Sequence, residues 1–243
     1  MTHDEITPYD KQEGKKKQVS NMFDNIAKYY DFLNGFLSLG VDNYWRRKAI
    51  EQLKMDNPKV VLDVATGTAD LALEIEKALD AEKIVGVDIS NEMLAIGRQK
   101  IAKKNLSNII SLETGDSENL RFENNTFDAI TVAYGVRNFE NLEKGLAEMQ
   151  RVLKPGGKLI VLEFSKPTIF PFKQLFNFYF KNILPMIGRL TSKDPKAYQY
   201  LYESVQAFPD GKKFEAVLEK TNFHSTKSIS LTLGICSIYI GKK

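Results

Sequence analysis

Cysteine and histidine are nearly absent from this chain. Its 243 residues hold one cysteine, Cys236, and two histidines, His3 and His224. One thiol rules out an internal disulfide and any multi-cysteine metal site. Two histidines leave no His-rich metal cluster or Ser-His-Asp triad to expect, so no metal is expected. No run approaches about 18 consecutive apolar residues, so nothing is expected to span a bilayer. Excess charge is small: a net +3 with 27% charged residues gives no electrostatic case for a nucleic-acid partner. The first residues are acids and lysines rather than an apolar core, unlike a signal peptide, and the expectation is a reduced, cytoplasmic protein. A G-x-G-x-x-G turn is missing too, which argues against a dinucleotide site.

What is present centres on 59–90. Val60-Val61-Leu62-Asp63-Val64 is an apolar β-branched run broken by one acid. Ala65-Thr66-Gly67-Thr68-Ala69 is a small-residue turn, and Asp70 to Ile75 opens a helical pattern. Ile84-Val85-Gly86-Val87-Asp88 is a second apolar run ending in an acid. Strand, tight turn, amphipathic helix and strand make a βαβ unit with a ligand site at its first turn. Ligands of open parallel sheets sit at the carboxyl ends of strands, where Asp63 and Asp88 belong.

The single glycine of this turn, Gly67, is flanked by carboxylates at Asp63 and Asp70. They would repel a pyrophosphate but suit a cation that also carries hydroxyls. S-adenosylmethionine, with its ammonium, sulfonium and ribose diol, is such a cation. Asp88 is placed to accept from the ribose hydroxyls. The bland alternative makes both acids ordinary strand-ending turn formers.

At this length the chain holds one α/β domain, 19–243, behind a polar, lysine-rich tail, 1–18, expected to be mobile. Within 19–57, a helix over Val19–Leu33 with Val19, Met22, Phe23, Ile26 and Tyr30 on one stripe should stop at Asn34-Gly35. A second runs from Asp42, as N-cap, to Met55. The pair either covers the ligand face or packs on a sheet edge. Asn91–Lys104 is a helix, Ile109–Glu113 a third strand, and Gly115-Asp116-Ser117 a turn that places Asp116 at the adenine end. Phe127–Ala133 is a fourth strand, expected where strand order reverses, followed by Tyr134-Gly135-Val136-Arg137-Asn138. An exposed Arg137-Asn138 pair there could bind an anionic oxygen, or the arginine could tie down a loop carbonyl. A helix over Leu142–Leu153, a turn at Lys154-Pro155-Gly156-Gly157 and a strand over Lys158–Phe164 follow. Residues 166–205, rich in Phe and Tyr, read as a helical insertion. It is either core or the wall of a greasy pocket that meets a membrane surface. A helix over Gly211–Thr221 and a closing β pair, Phe223–Thr232 with Ile235–Ile240, end the chain.

These motifs together resemble a Rossmann-like class I methyltransferase. More closely they resemble the demethylmenaquinone and 2-methoxy-6-polyprenyl-1,4-benzoquinol C-methyltransferase family. The match runs nearly end to end. It includes Met22-Phe23-Asp24-Asn25-Ile26-Ala27, Tyr30-Asp31-Phe32-Leu33-Asn34, Asp42-Asn43-Tyr44-Trp45-Arg46 and Asp63 through Leu71. Further on come Arg137-Asn138, Arg151 through Gly157 and Leu162-Glu163-Phe164-Ser165-Lys166-Pro167. The glycine turn and L-K-P-G-G are generic to methyltransferases, whereas G-x-R-N and E-F-S-K-P are particular to this family. The resemblance implies an α/β fold with a mostly parallel seven-stranded sheet, helices on both faces and a final antiparallel strand. It implies S-adenosylmethionine as cofactor, contacted by Thr68, Asp88, Asp116 and Ser117. It implies a prenylated quinol, demethylmenaquinol first, as methyl acceptor. Ala69 stands where the family usually has glycine, and Ala133 where many relatives have serine.

In that chemistry a ring carbon becomes nucleophilic when its neighbouring hydroxyl ionises. Arg137 and Asn138 are assigned to that oxygen, with Tyr30 orienting the ring. Contact with a membrane, with quinone-synthesis partners or with a second copy is open. The rival readings are a non-catalytic cofactor-binding partner in a quinone-synthesis assembly and an NAD(P)-dependent oxidoreductase.

Overall fold

Alternation along the strands decides which side chains face which layer. In β1 (Val60–Val64), Leu62 and Val64 point to one face and Val61 to the other, all fully buried. A strand apolar on both faces belongs in the middle of a parallel sheet covered by helices. The computed structural model, which describes residues 3–9, 13–38, 40–179, 182 and 195–243, has that form.

Seven strands lie in the order β3-β2-β1-β4-β5-β7-β6. The ranges are β2 (Lys83–Asp88), β3 (Ile110–Thr114), β4 (Phe127–Ala133), β5 (Leu153–Phe164), β6 (His224–Leu231) and β7 (Cys236–Lys242). The first five are parallel, and β7 runs antiparallel to both β5 and β6. Chain order reverses between β1 and β4, so their carboxyl ends open a crevice. The expected fold is the observed one.

On one face Leu62, Val64, Val85, Ile130 and Val161 pack against α5 (Leu142–Val152) and α8 (Lys212–Lys220), through Leu146, Met149, Phe214 and Leu218. On the other, Val61, Ile84 and Ile160 pack against α2 (Val41–Glu51), α3 (Asp70–Ala78) and the end of α4 (Asn91–Lys103). Ser90 caps α4 by accepting from Met93 N at 3.2 Å. A separate cluster joins α1 (Lys15–Leu37) to Met93 and to Tyr200 of α7 (Pro195–Ala207).

Several boundaries differ from the sequence reading. Helix α1 starts at Lys15 rather than Val19 and runs through Asn34-Gly35 to Leu37. Asp42 lies inside α2 rather than capping it: Gly40 precedes the helix with φ 75°, and Asp42 pairs with Arg46 at 2.7 Å. Lys154-Pro155-Gly156-Gly157 is absorbed into β5. Its irregular register against β4 takes up the extra residues, and Gly156, with φ 80°, donates its N–H to the Lys243 carbonyl. Of the 166–205 insertion, α6 (Phe172–Phe178) and α7 are described. Phe180 and Pro185 lie outside the described residues.

Leu62 sits in the central strand with no exposed surface. Leu62→Ala is expected to lower unfolding stability by about 2–5 kcal/mol, since transfer and cavity terms add. Urea denaturation with an unchanged m-value measures it.

Candidate active site

The turn after β1 is bent by backbone conformation. Ala65, Gly67 and Ala69 all have positive φ, at 53°, 55° and 67°. Only glycine adopts this region freely, so the two alanines are held there by their surroundings. Those surroundings are tight. A Cβ on Gly135 would lie 2.5 Å from the Ala65 methyl, and one on Gly97 would lie 3.2 Å from that of Ala69. Small residues at 65, 69, 97 and 135 let the turns after β1 and β4, and helix α4, approach this closely.

Asp88, ending β2, clamps the turn. Its Oδ2 accepts from Gly67 N at 2.8 Å and its Oδ1 from Ser90 N at 2.9 Å. Burial pushes its pKa up, while these backbone N–H groups pull it down. A carboxylate accepts up to about four hydrogen bonds, so capacity remains for a ligand hydroxyl. Asp63 has a different place: 1% exposed, it lies beneath the turn and accepts from Thr66 Oγ1 at 2.6 Å and Thr131 Oγ1 at 2.7 Å. Burial raises its pKa to about 6. It supports the turn and does not line the cleft.

The cleft is lined by Tyr30, Gly67, Asp88, Asp116, Ser117 and Asn138 among the residues expected from sequence. Thr68 is buried beside it and donates to Asp31 Oδ1 at 2.6 Å. Arg137 is not on the lining and is 4% exposed. Its Nη1 donates to Glu163 Oε1 and to the Tyr134 carbonyl, both at 2.6 Å. This corrects the expected exposed Arg-Asn pair. A buried carboxylate from the neighbouring strand draws the guanidinium inward, where it ties down a loop carbonyl. Asn138 does reach the cleft. Its Nδ2 donates to the Tyr134 carbonyl at 3.2 Å, and its Oδ1 is buried with no partner.

The roof is the part least visible in sequence. The N-terminal segment crosses the strand ends and makes a polar contact at each. His3 Nε2 donates to the Arg137 carbonyl after β4 at 2.7 Å. Lys16 Nζ meets Asp116 and Glu118 after β3, at 2.7 and 3.2 Å. Ser20 Oγ donates to Ile89 O after β2, and Asp24 accepts from Ser90 Oγ. Asp31 takes Thr68 after β1, with Lys100 bridging Asp31 and Asp70. Of the two covering elements only α1 lines the cleft, through Lys16, Val19, Phe23 and Tyr30. Lys16 falls in the stretch that composition assigns to a mobile tail. A signal for it exists: one helical step back from Val19 on the same stripe lands on it.

The whole chain has known counterparts. A sequence profile described as the ubiE/COQ5 methyltransferase family matches residues 11–243. The chain belongs to the ubiE/COQ5 methyltransferase family. This methyltransferase is 48% identical over 240 residues to the demethylmenaquinone methyltransferase of Bacteroides fragilis, covering 99% of this chain and 98% of that protein. It is 44% identical to the ubiquinone/menaquinone biosynthesis C-methyltransferase of Geotalea daltonii, over 94% of this chain and 97% of that one. A crystal structure of a SAM-dependent methyltransferase from Thermotoga maritima, a possible histamine N-methyltransferase, superposes with a TM-score of 0.67. It is 17% identical and covers 93% of this chain and 99% of that one, a likeness of fold.

The methyltransferase's cofactor is S-adenosylmethionine, and the site has the donor set for it. Asp88, which ends β2, and Asp116 both line the cleft, and the glycine turn carries no second glycine to cradle phosphates.

Asp63 supplies a pH test. A carboxyl whose folded pKa is raised to about 6 destabilises the fold as pH climbs from its unfolded pKa of ~3.9 through that value. Asp63→Asn removes the titration while keeping the shape. The variant should therefore gain on wild type by up to ~3 kcal/mol between pH ~4 and ~7. Urea melts across that range read the gain, and a pH-independent difference would contradict the assignment.

Proposed function

We propose that this methyltransferase transfers the methyl group of S-adenosylmethionine to a ring carbon of a prenylated quinol, demethylmenaquinol first among them. The observation that carries the reading is Asp88. It is a half-buried acid clamping the only glycine of the turn, in a cleft that Asp116 also lines. Similarity over nearly the full length to demethylmenaquinone methyltransferases supports the choice of acceptor. Asp88 and Asp116 suit a cation with hydroxyls and an exocyclic amine, and oppose a pyrophosphate.

When bound, S-adenosylmethionine supplies an electrophilic methyl group on a positive sulfur. The protein supplies alignment, whose effective molarity in well-oriented reactions can reach roughly 10⁵ M or more. Asp88 holds the turn and presents lone pairs to the ribose. Ser117 and Asp116 edge the adenine end. Asn138 is the polar side chain of the β4 turn that opens on the cleft, and its unpartnered Oδ1 is placed to accept from the quinol hydroxyl that stays protonated. That contact orients the ring so that the carbon beside the ionising hydroxyl faces the methyl. Arg137 acts behind it, holding the turn. Tyr30 and Phe23, edge-to-face at 6.0 Å on the roof, give the ring an apolar wall. Water takes the proton of the ionising hydroxyl; once the methyl is on the ring, the carbon's own proton leaves to water, the oxygen is reprotonated and the ring regains its aromaticity.

Access follows from the substrate's solubility. A prenyl tail keeps the acceptor in a bilayer, and among the described residues no helix is long and apolar enough to cross one. Ile169, Phe170, Leu175 and Phe178 are all more than half exposed, on α6 and the segment before it. Four apolar side chains on one short stretch suit an interfacial contact.

Asp88→Ala should weaken adenosylhomocysteine binding by about 10–100-fold, the loss of charge-assisted hydrogen bonds. Calorimetry measures it, and heat from a nicotinamide dinucleotide instead would overturn the reading. Asn138→Ala should leave that affinity within about twofold while lowering kcat toward the quinol by ~10²-fold, as for other oriented polar groups. Transfer of labelled methyl groups to a prenylated quinol by the purified protein separates an enzyme from a non-catalytic partner.

A further inference from the structure

Glu163 takes no part in the cleft, yet it is the most deeply buried acid of the chain's described residues, with no exposed surface. It lies near the end of β5. Its Oε1 accepts from Arg137 Nη1 at 2.6 Å and from Phe164 N at 2.8 Å, and its Oε2 faces Arg137 N at 3.4 Å. Burial pushes its pKa up, and Arg137 with the backbone N–H groups works against that. A buried ion pair is a weak device for stability, because desolvation opposes the mutual attraction. Its best-attested use is to specify one arrangement among several.

The arrangement specified here can be followed atom by atom. Arg137 stacks its guanidinium over Phe164, 5.5 Å from the ring centroid, and donates through Nη1 to the Tyr134 carbonyl. That same carbonyl accepts from Asn138 Nδ2. Tyr134 has φ 57°, a left-handed conformation that a tyrosine rarely adopts unaided. The peptide turned by this conformation is therefore held from two sides: by the guanidinium that Glu163 anchors and by the amide that opens on the cleft.

We propose that Glu163 is a positioning residue for methyl transfer: acting through Arg137, it fixes the Tyr134 carbonyl and so sets the direction of the Asn138 carboxamide. The inference rests on Asn138 meeting the acceptor.

The test is a double-mutant cycle on the full chain, with Glu163→Gln, Arg137→Met and both together. It reads kcat and KM for the quinol, adenosylhomocysteine affinity and thermal unfolding. Glu163→Gln should lower kcat about tenfold, as small misplacements of reacting groups do. Affinity for adenosylhomocysteine should stay within about twofold of wild type. In the Arg137→Met background, adding Glu163→Gln should change kcat by less than about twofold, because nothing is left for the carboxylate to act through. A merely structural role would lower stability and cofactor affinity together and leave kcat per folded molecule unchanged, which overturns the proposal. So does a multiplicative loss in the double variant. If Glu163→Gln strands the guanidinium and fails to fold, the comparison of Arg137→Met with the double variant decides alone. Neither holds an unpaired buried cation; equal kcat supports the proposal and a further drop overturns it. Asn138→Ala at wild-type kcat would remove the underlying reading. A normal Asn138→Ala loss beside an unaffected Glu163→Gln would sink the positioning role only.

Discussion

Backbone amides pointing at one half-buried carboxylate hold this site together. Asp88 accepts from Gly67 N in the first turn and from Ser90 N at the start of α4. Taking an acid out of water is unfavourable unless donors replace the lost hydration, and the strand end supplies them. In return the acid fixes the turn, and the turn's left-handed residues then need small neighbours. Gly135, Gly97, Ala65 and Ala69 are the answer to that geometry rather than an independent motif. The alanine at 69 is accommodated because α4 offers Gly97 opposite it.

A crevice at a strand-order reversal is open by construction, so something must close it. Here one polar segment does so, and the anchoring is distributed. His3, Lys16, Ser20 with Asp24, and Asp31 reach the ends of β4, β3, β2 and β1 in turn. Most of these are single hydrogen bonds, each with a net contribution of about 0.5–1.5 kcal/mol, and the half-exposed Lys16–Asp116 pair adds about 0–1 kcal/mol. A roof held by many weak contacts can be lifted piecemeal. Lys16 occupies Asp116, an acid assigned to the cofactor's adenine end.

The sheet is legible because β-branched runs ending in acids encode strand, face and crevice at once. Val60–Val64 and Lys83–Asp88 lie where the pattern puts them, as does Phe127–Ala133 at the reversal. In 3–9 and 13–18 the structure shows contacts that composition does not announce, because composition speaks of solvation and not of partners. Lys15 is buried with its Nζ donating to the His3 carbonyl, and Gln18 with its Oε1 accepting from Tyr9 N. Asn34-Gly35 reads as a stop on local propensity, yet α1 runs on through it, as tertiary context routinely overrides so weak a prior. Arg137 is the instructive case. Its neighbours in sequence are loop-like, so exposure is the natural inference, while the acid that buries it lies 26 residues away on the next strand. Periodicity assigns faces but does not pair charges across them.

That pairing changes what the arginine can do chemically. A guanidinium facing the cleft would carry a full positive charge to a developing aryloxide. One already bonded to a buried carboxylate is part of a neutral pair, and its field at the acceptor is correspondingly reduced. What remains is geometry. The pair fixes a carbonyl, the carbonyl holds an amide, and the amide faces the cleft. Keeping net charge away from the reacting centre also suits a cationic methyl donor, which a free arginine in the same cleft would repel. The motif that looks like an electrostatic catalyst is better understood as a brace. The charges on the cleft lining are Lys16 of the roof and carboxylates, Asp88 and Asp116 among them, at the strand ends.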